Sequence, residues 1–249
     1  MSVAALTRPP LADPAARARA KQTLWRLAAV ALAHPAPELH AAIASGKFHE
    51  ALARAWGDVT GRAWPRPSSP GAYPAFEAGY IAAFLHGPSG KPLASLLAGD
   101  HEGLLQGLSR PVFMLNVAAF YGHFGLKAAV EDEGRADEPD HLAAMAEFMA
   151  VLCHLEAGAC GRGRDPDPAR RAQRDFLARY LAPMLDCVTE KLRRATLPDL
   201  DPTMSQLLAE FAPWAHQQIA ELEARVGPFR DPDAPRPETK ADAPQDLWG

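Results

Sequence analysis

The chain has 249 residues, room for one domain with appended tails, and 48% of them are hydrophobic, which excludes a wholly disordered protein. A formal net charge of −4 argues against a nucleic-acid binder, which needs clustered Lys and Arg to neutralise phosphate. Three cysteines without a Cys-x-x-Cys pair suit a reducing compartment better than a disulfide framework. The N-terminal MSVAALTRPPLADPAARARAK lacks the parts of a secretory signal, and the apolar run LAAVALA is far shorter than the ~20 residues of a spanning helix. A soluble, cytoplasmic protein without a membrane span is expected.

β-Branched residues are scarce, and alanine and leucine recur at helical spacing, so the expected fold class is all-α. A first helix runs from Asp13-Pro14 to His34-Pro35 with Leu24, Leu27, Val30 and Ala31 inward, and short helices follow at about 38–44 and 48–56. Glycine and proline make 57–72 a loop. The next helix covers 73–85 and leads into the broken stretch HGPSGKPLASLLAGD. The apolar, aromatic segment 110–124 is expected to be the most buried helix. A further helix starts at about Asp140 with Leu142, Met145, Met149 and Leu152 on its inner face, and two longer ones cover 168–195 and 202–226. From Gly227 the chain has five prolines and few apolar residues, too little burial to offset chain entropy. The expected organisation is one helical bundle over 1–226, with 1–12 flexible, and a Pro/Asp-rich disordered tail over 227–249.

The stretch GPSGKP at 87–92 fails as a phosphate loop, because Leu85 stands where the leading glycine belongs and Pro92 replaces the Mg²⁺-binding Ser or Thr. Nine histidines include no His-Glu-x-x-His, and Cys153 and Cys160 have no second pair, so no metal or other cofactor is expected. No nucleophile elbow is present. What stands out is DEPDHLAAMAEFMAVL at 137–152, where acid, proline and histidine abut an apolar run. Asp140 reads as the N-cap of the coming helix, worth ~1 kcal/mol, while His141 on the first turn has no such explanation. Residues 131–140 hold six acids against Arg135 alone. That composition fits a solvated loop, and it also fits one that steers and holds a basic peptide.

The block EPDHLAAMAEFMAVL resembles the signature of the TorD/DmsD/NarJ family of redox-enzyme maturation chaperones. YIAAFLHGPSGKPLASLL (80–97) is similar to that family's aromatic helix end and Gly-Pro loop, FYGHFGLKAAVEDE (120–133) to its helix leading into the Asp-His loop, and RDFLARYLAPML (174–185) to its late helix. Tyr180 and Met184 depart from the family's tryptophan and histidine usage, and the 86–97 loop lacks the tryptophans of some relatives. The resemblance implies a TorD-like all-α chaperone that binds the apo catalytic subunit of a molybdopterin-dependent oxidoreductase. It also implies binding of a twin-arginine leader until the cofactor is inserted. The absence of catalytic motifs points to a non-enzyme, and a helical bundle of this kind is open to being a monomer or a domain-swapped dimer. The expected peptide groove joins the loops 131–141 and 86–97. Glu131, Glu133, Asp137, Glu138, Pro139, Asp140 and His141 supply acid and orientation, Tyr80, Phe84 and Tyr121 an apolar floor, and Gly87-Pro88 the facing turn. Two competing expectations are a helical metal-dependent hydrolase using Asp140 and His141, and a structural subunit of the mature enzyme complex.

Overall fold

The structure, a computed structural model, describes residues 9–65, 70–87, 90–126, 138–195 and 200–230. Among these residues it is all-helical, with one isolated β-bridge and no strand. The helices are α1 (Pro14–Leu32), α2 (Pro37–Ala44), α3 (Lys47–Thr60), α4 (Tyr73–Phe84), α5 (Arg110–His123), α6 (Leu142–Gly161), α7 (Asp167–Phe176), α8 (Ala182–Arg194) and α9 (Pro202–Val226). Residues 1–8 and most of the proline-rich tail, 231–249, lie outside the described residues.

Local chemistry sets the helix ends. Asp13 caps α1 by accepting from the N–H groups of Ala15 and Ala16, both at 3.1 Å, with Pro14 at the first helical position. Asp201-Pro202 repeats the device at α9, where the carboxylate accepts from Thr203 at 2.8 Å. α7 and α8 form one continuous rod through a π turn, Leu177–Leu181. The turn falls where Pro183 has no N–H to give to the preceding turn.

The core has two aromatic centres. Trp25 of α1, Trp56 of α3, and Phe211 and Trp214 of α9 pack together, with Trp25 and Trp214 rings 4.9 Å apart. On the other side, Tyr121 of α5, Phe148 of α6 and Phe176 of α7 meet at 4.7–6.0 Å. α1 lies along α6, and the pair is tied by a buried polar knot. There Lys21 meets Glu156 at 2.8 Å, and Gln173 and Arg170 of α7 also donate to that carboxylate. These donors outweigh the cost of burial and hold Glu156 down to about 2.

Three expectations are corrected. Val30 is 51% exposed, because α1 presents Ala28, Ala29 and Ala31 to the core instead. α3 continues through Gly57 to Thr60 and stops at Gly61, whose φ of 71° suits a residue without Cβ. α5 buries only Phe113, Val117 and Tyr121 and leaves Leu115 68% exposed, so it is not the most buried helix. α6 is far better covered, with Leu142, Met145, Met149 and Leu152 inward as expected. It is also long and apolar enough to cross a membrane, but 56% of that window is buried, as in a core helix.

Candidate functional site: a clamped acidic cleft

The segment after α4 returns to the start of α6 and pairs with it. Leu97 and His141 form the antiparallel bridge, Leu142 N–H donates to Leu96 O at 2.8 Å, and Ala98 N–H donates to Asp140 O at 3.1 Å. The loop regions expected to meet therefore do so at 96–98 and 140–142. Glu131, Glu133, Asp137 and Pro88 lie outside the described residues.

Asp140 does not take the N-cap role expected of it. The N-cap of α6 is His141, whose Nδ1 accepts from Ala143 N–H at 3.1 Å. Accepting there leaves Nε2 to carry the proton of the neutral ring. Asp140 is fully buried, and its Oδ2 accepts from Gly99 N–H at 2.7 Å, so it clamps one loop to the other instead of capping the helix. Its Oδ1 has no hydrogen-bond partner among the described residues. Burial pushes the Asp140 carboxyl above its ordinary value, opposed by the Gly99 N–H, raised further by Glu138 and lowered by Arg110.

Arg110 binds Asp100 at 2.9 Å and Glu138 at 2.5 Å, holding the two rims together. Its side chain lies against Gly99, where an added Cβ would come within 2.7 Å of it. Behind Asp100, Ser95 Oγ donates to that carboxylate at 2.6 Å, and His101 is buried between Ser95 O (2.9 Å) and Lys191 Nζ (2.7 Å). Burial, with the Lys191 charge, depresses the His101 imidazole despite the Ser95 bond.

The cleft beside this clamp is ≈ 610 Å³, and Ala33, His34, Tyr80, Leu85, Leu97, Glu138, His141, Ala143, Ala144 and Glu147 line it. Tyr80 reaches it while its hydroxyl donates to Leu32 O at 2.9 Å. Phe84 does not line it and packs on Tyr80 at 5.0 Å. Tyr121 does not line it either: its hydroxyl donates to Pro139 O at 2.6 Å from beneath, and burial pushes that phenol up. Gly87 holds the turn after α4, where an added Cβ would sit 2.7 Å from Lys91 O. Sequence reading missed Ala33, His34, Leu85, Ala143, Ala144 and Glu147. The signal for two of them was present, since 141, 144 and 147 recur at three-residue steps along one helix face.

The clamp leaves a surface acidic at Glu138 and Glu147 and apolar at Tyr80, Leu85 and Leu97. Among the described residues no group of three His, Cys, Asp or Glu side chains is placed to hold a metal ion. Asp140, which the hydrolase expectation needs, is sealed from solvent.

Fold and cleft together define an all-helical protein with an acidic, partly apolar cleft and a structural Asp-His pair at its rim. The chain belongs to the nitrate reductase delta subunit family, whose model matches residues 46–190. It is 53% identical over 244 residues to the dimethyl sulfide dehydrogenase assembly chaperone protein of Rhodovulum sulfidophilum, covering 97% of each chain. It is 36% identical to the selenate reductase assembly chaperone protein of Thauera selenatis, over 70% of this chain and 81% of the other. With the chlorate reductase assembly chaperone protein of Ideonella dechloratans it shares 33% identity, over 53% of this chain and 66% of that one. No solved structure matches it.

Proposed function

We propose that this chain is a cytoplasmic assembly chaperone, without catalytic activity of its own, for the catalytic subunit of a molybdopterin-dependent oxidoreductase. It binds the apo subunit and supports cofactor insertion before assembly or export. The observation that carries the reading is 53% identity along 97% of both chains to a protein named as a dimethyl sulfide dehydrogenase assembly chaperone. That likeness makes an enzyme related to dimethyl sulfide dehydrogenase the first partner to test.

The cleft supplies a physical basis for peptide capture. A twin-arginine leader joins a basic patch to an apolar segment, and the cleft sets Glu138 and Glu147 beside Tyr80, Leu85 and Leu97. Asp140, Gly99 and Arg110 fix the rim, and His141 stands on it. Capture assays with the full chain as bait test the role: the apo subunit is retained and the molybdenum-loaded subunit is not. Equal retention of both forms would sink the assembly role. Isothermal titration with the leader, and with its two arginines changed to glutamine, tests the cleft separately: indifference to the arginines moves leader binding elsewhere.

A further inference from the structure

A second groove, of ≈ 680 Å³, opens on another face between α5 and α7. Phe120, Phe124 and Tyr180 line it, and it continues into the outer stripe of α5, where Leu115 is 68% exposed. Its charge is cationic. Arg171 is exposed and has no partner among the described residues, and Arg179 lies over the Tyr180 ring at 5.3 Å. Asp175 on the same rim is already paired with Arg174 at 2.7 Å.

The chain carries a segment of complementary chemistry. Residues 231–249 hold five acids against Arg236 and Lys240, and their apolar residues of any size are Leu247 and Trp248, directly after Asp246. The tail also leaves α9 beside this groove. Arg174 Nη1 donates to Val226 O at 3.2 Å and to Gly227 O at 2.6 Å, and Arg174 stands one turn from Arg171 on α7. By length alone, a random coil with this number of residues has a root-mean-square span on the order of 20–25 Å, ample for a groove one helical turn from the tether. The cleft at Asp140 is a poorer seat, because the carboxylates of Asp100, Glu138 and Glu147 outnumber Arg110, which pairs with the first two, and together repel an acidic segment.

We propose that Asp246, Leu247 and Trp248 of this chain's own tail dock in the α5–α7 groove, with Trp248 on the aromatic floor and the acid facing Arg171 and Arg179. The tail thereby covers an apolar face that is separate from the leader-binding cleft.

Trp248 reports its own position. The emission difference between the full-length chain and its Trp248→Phe variant isolates this residue from the other four tryptophans. Acrylamide is expected to quench that emission at no more than about half the rate seen for free N-acetyltryptophanamide, and charge reversal with Arg171→Glu plus Arg179→Glu to raise quenching about twofold. Asp246→Lys, outside the helical core, is expected to give the same increase and guards against misfolding of the double variant. Quenching of Trp248 like the free probe overturns the proposal. Shielding that ignores both charge changes overturns it for this groove, and shielding that grows with protein concentration gives the groove to a second copy's tail.

Discussion

Replacing Asp140 with alanine removes an acceptor that has no solvent access and that holds the N–H of half-buried Gly99 at 2.7 Å. A hydrogen bond to a charged acceptor contributes about 1.5–3 kcal/mol, and an N–H left without a partner costs about 1–3 kcal/mol when buried, the low end of which applies to half-buried Gly99. The two overlap, and release of a desolvated charge offsets part of the loss, so Asp140→Ala is expected to destabilise by about 2–3 kcal/mol. For a chain of this size that is roughly 4–12 °C in Tm. Asp140→Asn keeps an oxygen for Gly99 and drops the charge, so its cost is expected to stay under about 1 kcal/mol. The pH dependence has a definite sign. Because the folded carboxyl titrates above its ordinary 3.8, ionisation costs stability as pH rises through the folded value, and protonation restores it as pH falls. The asparagine variant should therefore compare best with the parent at neutral pH and lose ground as the pH falls towards 3.8. Urea unfolding followed by far-UV circular dichroism measures both effects. An alanine variant as stable as the parent, or an asparagine variant as damaged as the alanine one, would refute the clamp.

His141→Asn retains a capping acceptor, so it should stay within about 0.5 kcal/mol of the parent in urea while weakening leader binding, whereas His141→Ala also loses about 1 kcal/mol of cap. Gly87→Ala forces a Cβ to 2.7 Å from Lys91 O, a backbone atom, and is expected to cost about 1–3 kcal/mol by thermal melt. The depressed His101 contributes stability that is complete above its ordinary 6.5 and is lost as pH falls through its lower folded value. Urea midpoints should accordingly drop on acidification below 6.5, and less steeply in His101→Gln. Glu156→Gln leaves Lys21 uncompensated at a buried site and should cost about 3–5 kcal/mol in equilibrium unfolding.

Much of the fold was legible because helix starts carry local chemistry. Asp13-Pro14 and Asp201-Pro202 mark α1 and α9, and the apolar spacing from Leu142 to Leu152 marks the inner face of α6. The failures share a cause, since composition does not say which face is covered. The aromatic richness of α5 suggested deep burial, yet its outer stripe stays open because no described helix packs over Leu115. Gly57 inside α3 suggested a loop, but tertiary packing of Trp56 and Val59 carries that helix through to Thr60. At the cleft, the Asp-His block was found, but the cap was assigned to Asp140 instead of His141. A cap is inferred from neighbours in sequence, whereas the partner that claims Asp140 is Gly99, 41 residues away. Tyr121 and Phe84 were placed correctly near the loops and wrongly on the surface, because an aromatic at a helix end serves equally as floor or as support.

The most direct test of the assembly role is the molybdenum content of the partner catalytic subunit produced in cells lacking this chain. The account predicts a subunit that is synthesised but deficient in molybdenum, restored when the chain is supplied. A fully loaded subunit in its absence would contradict it.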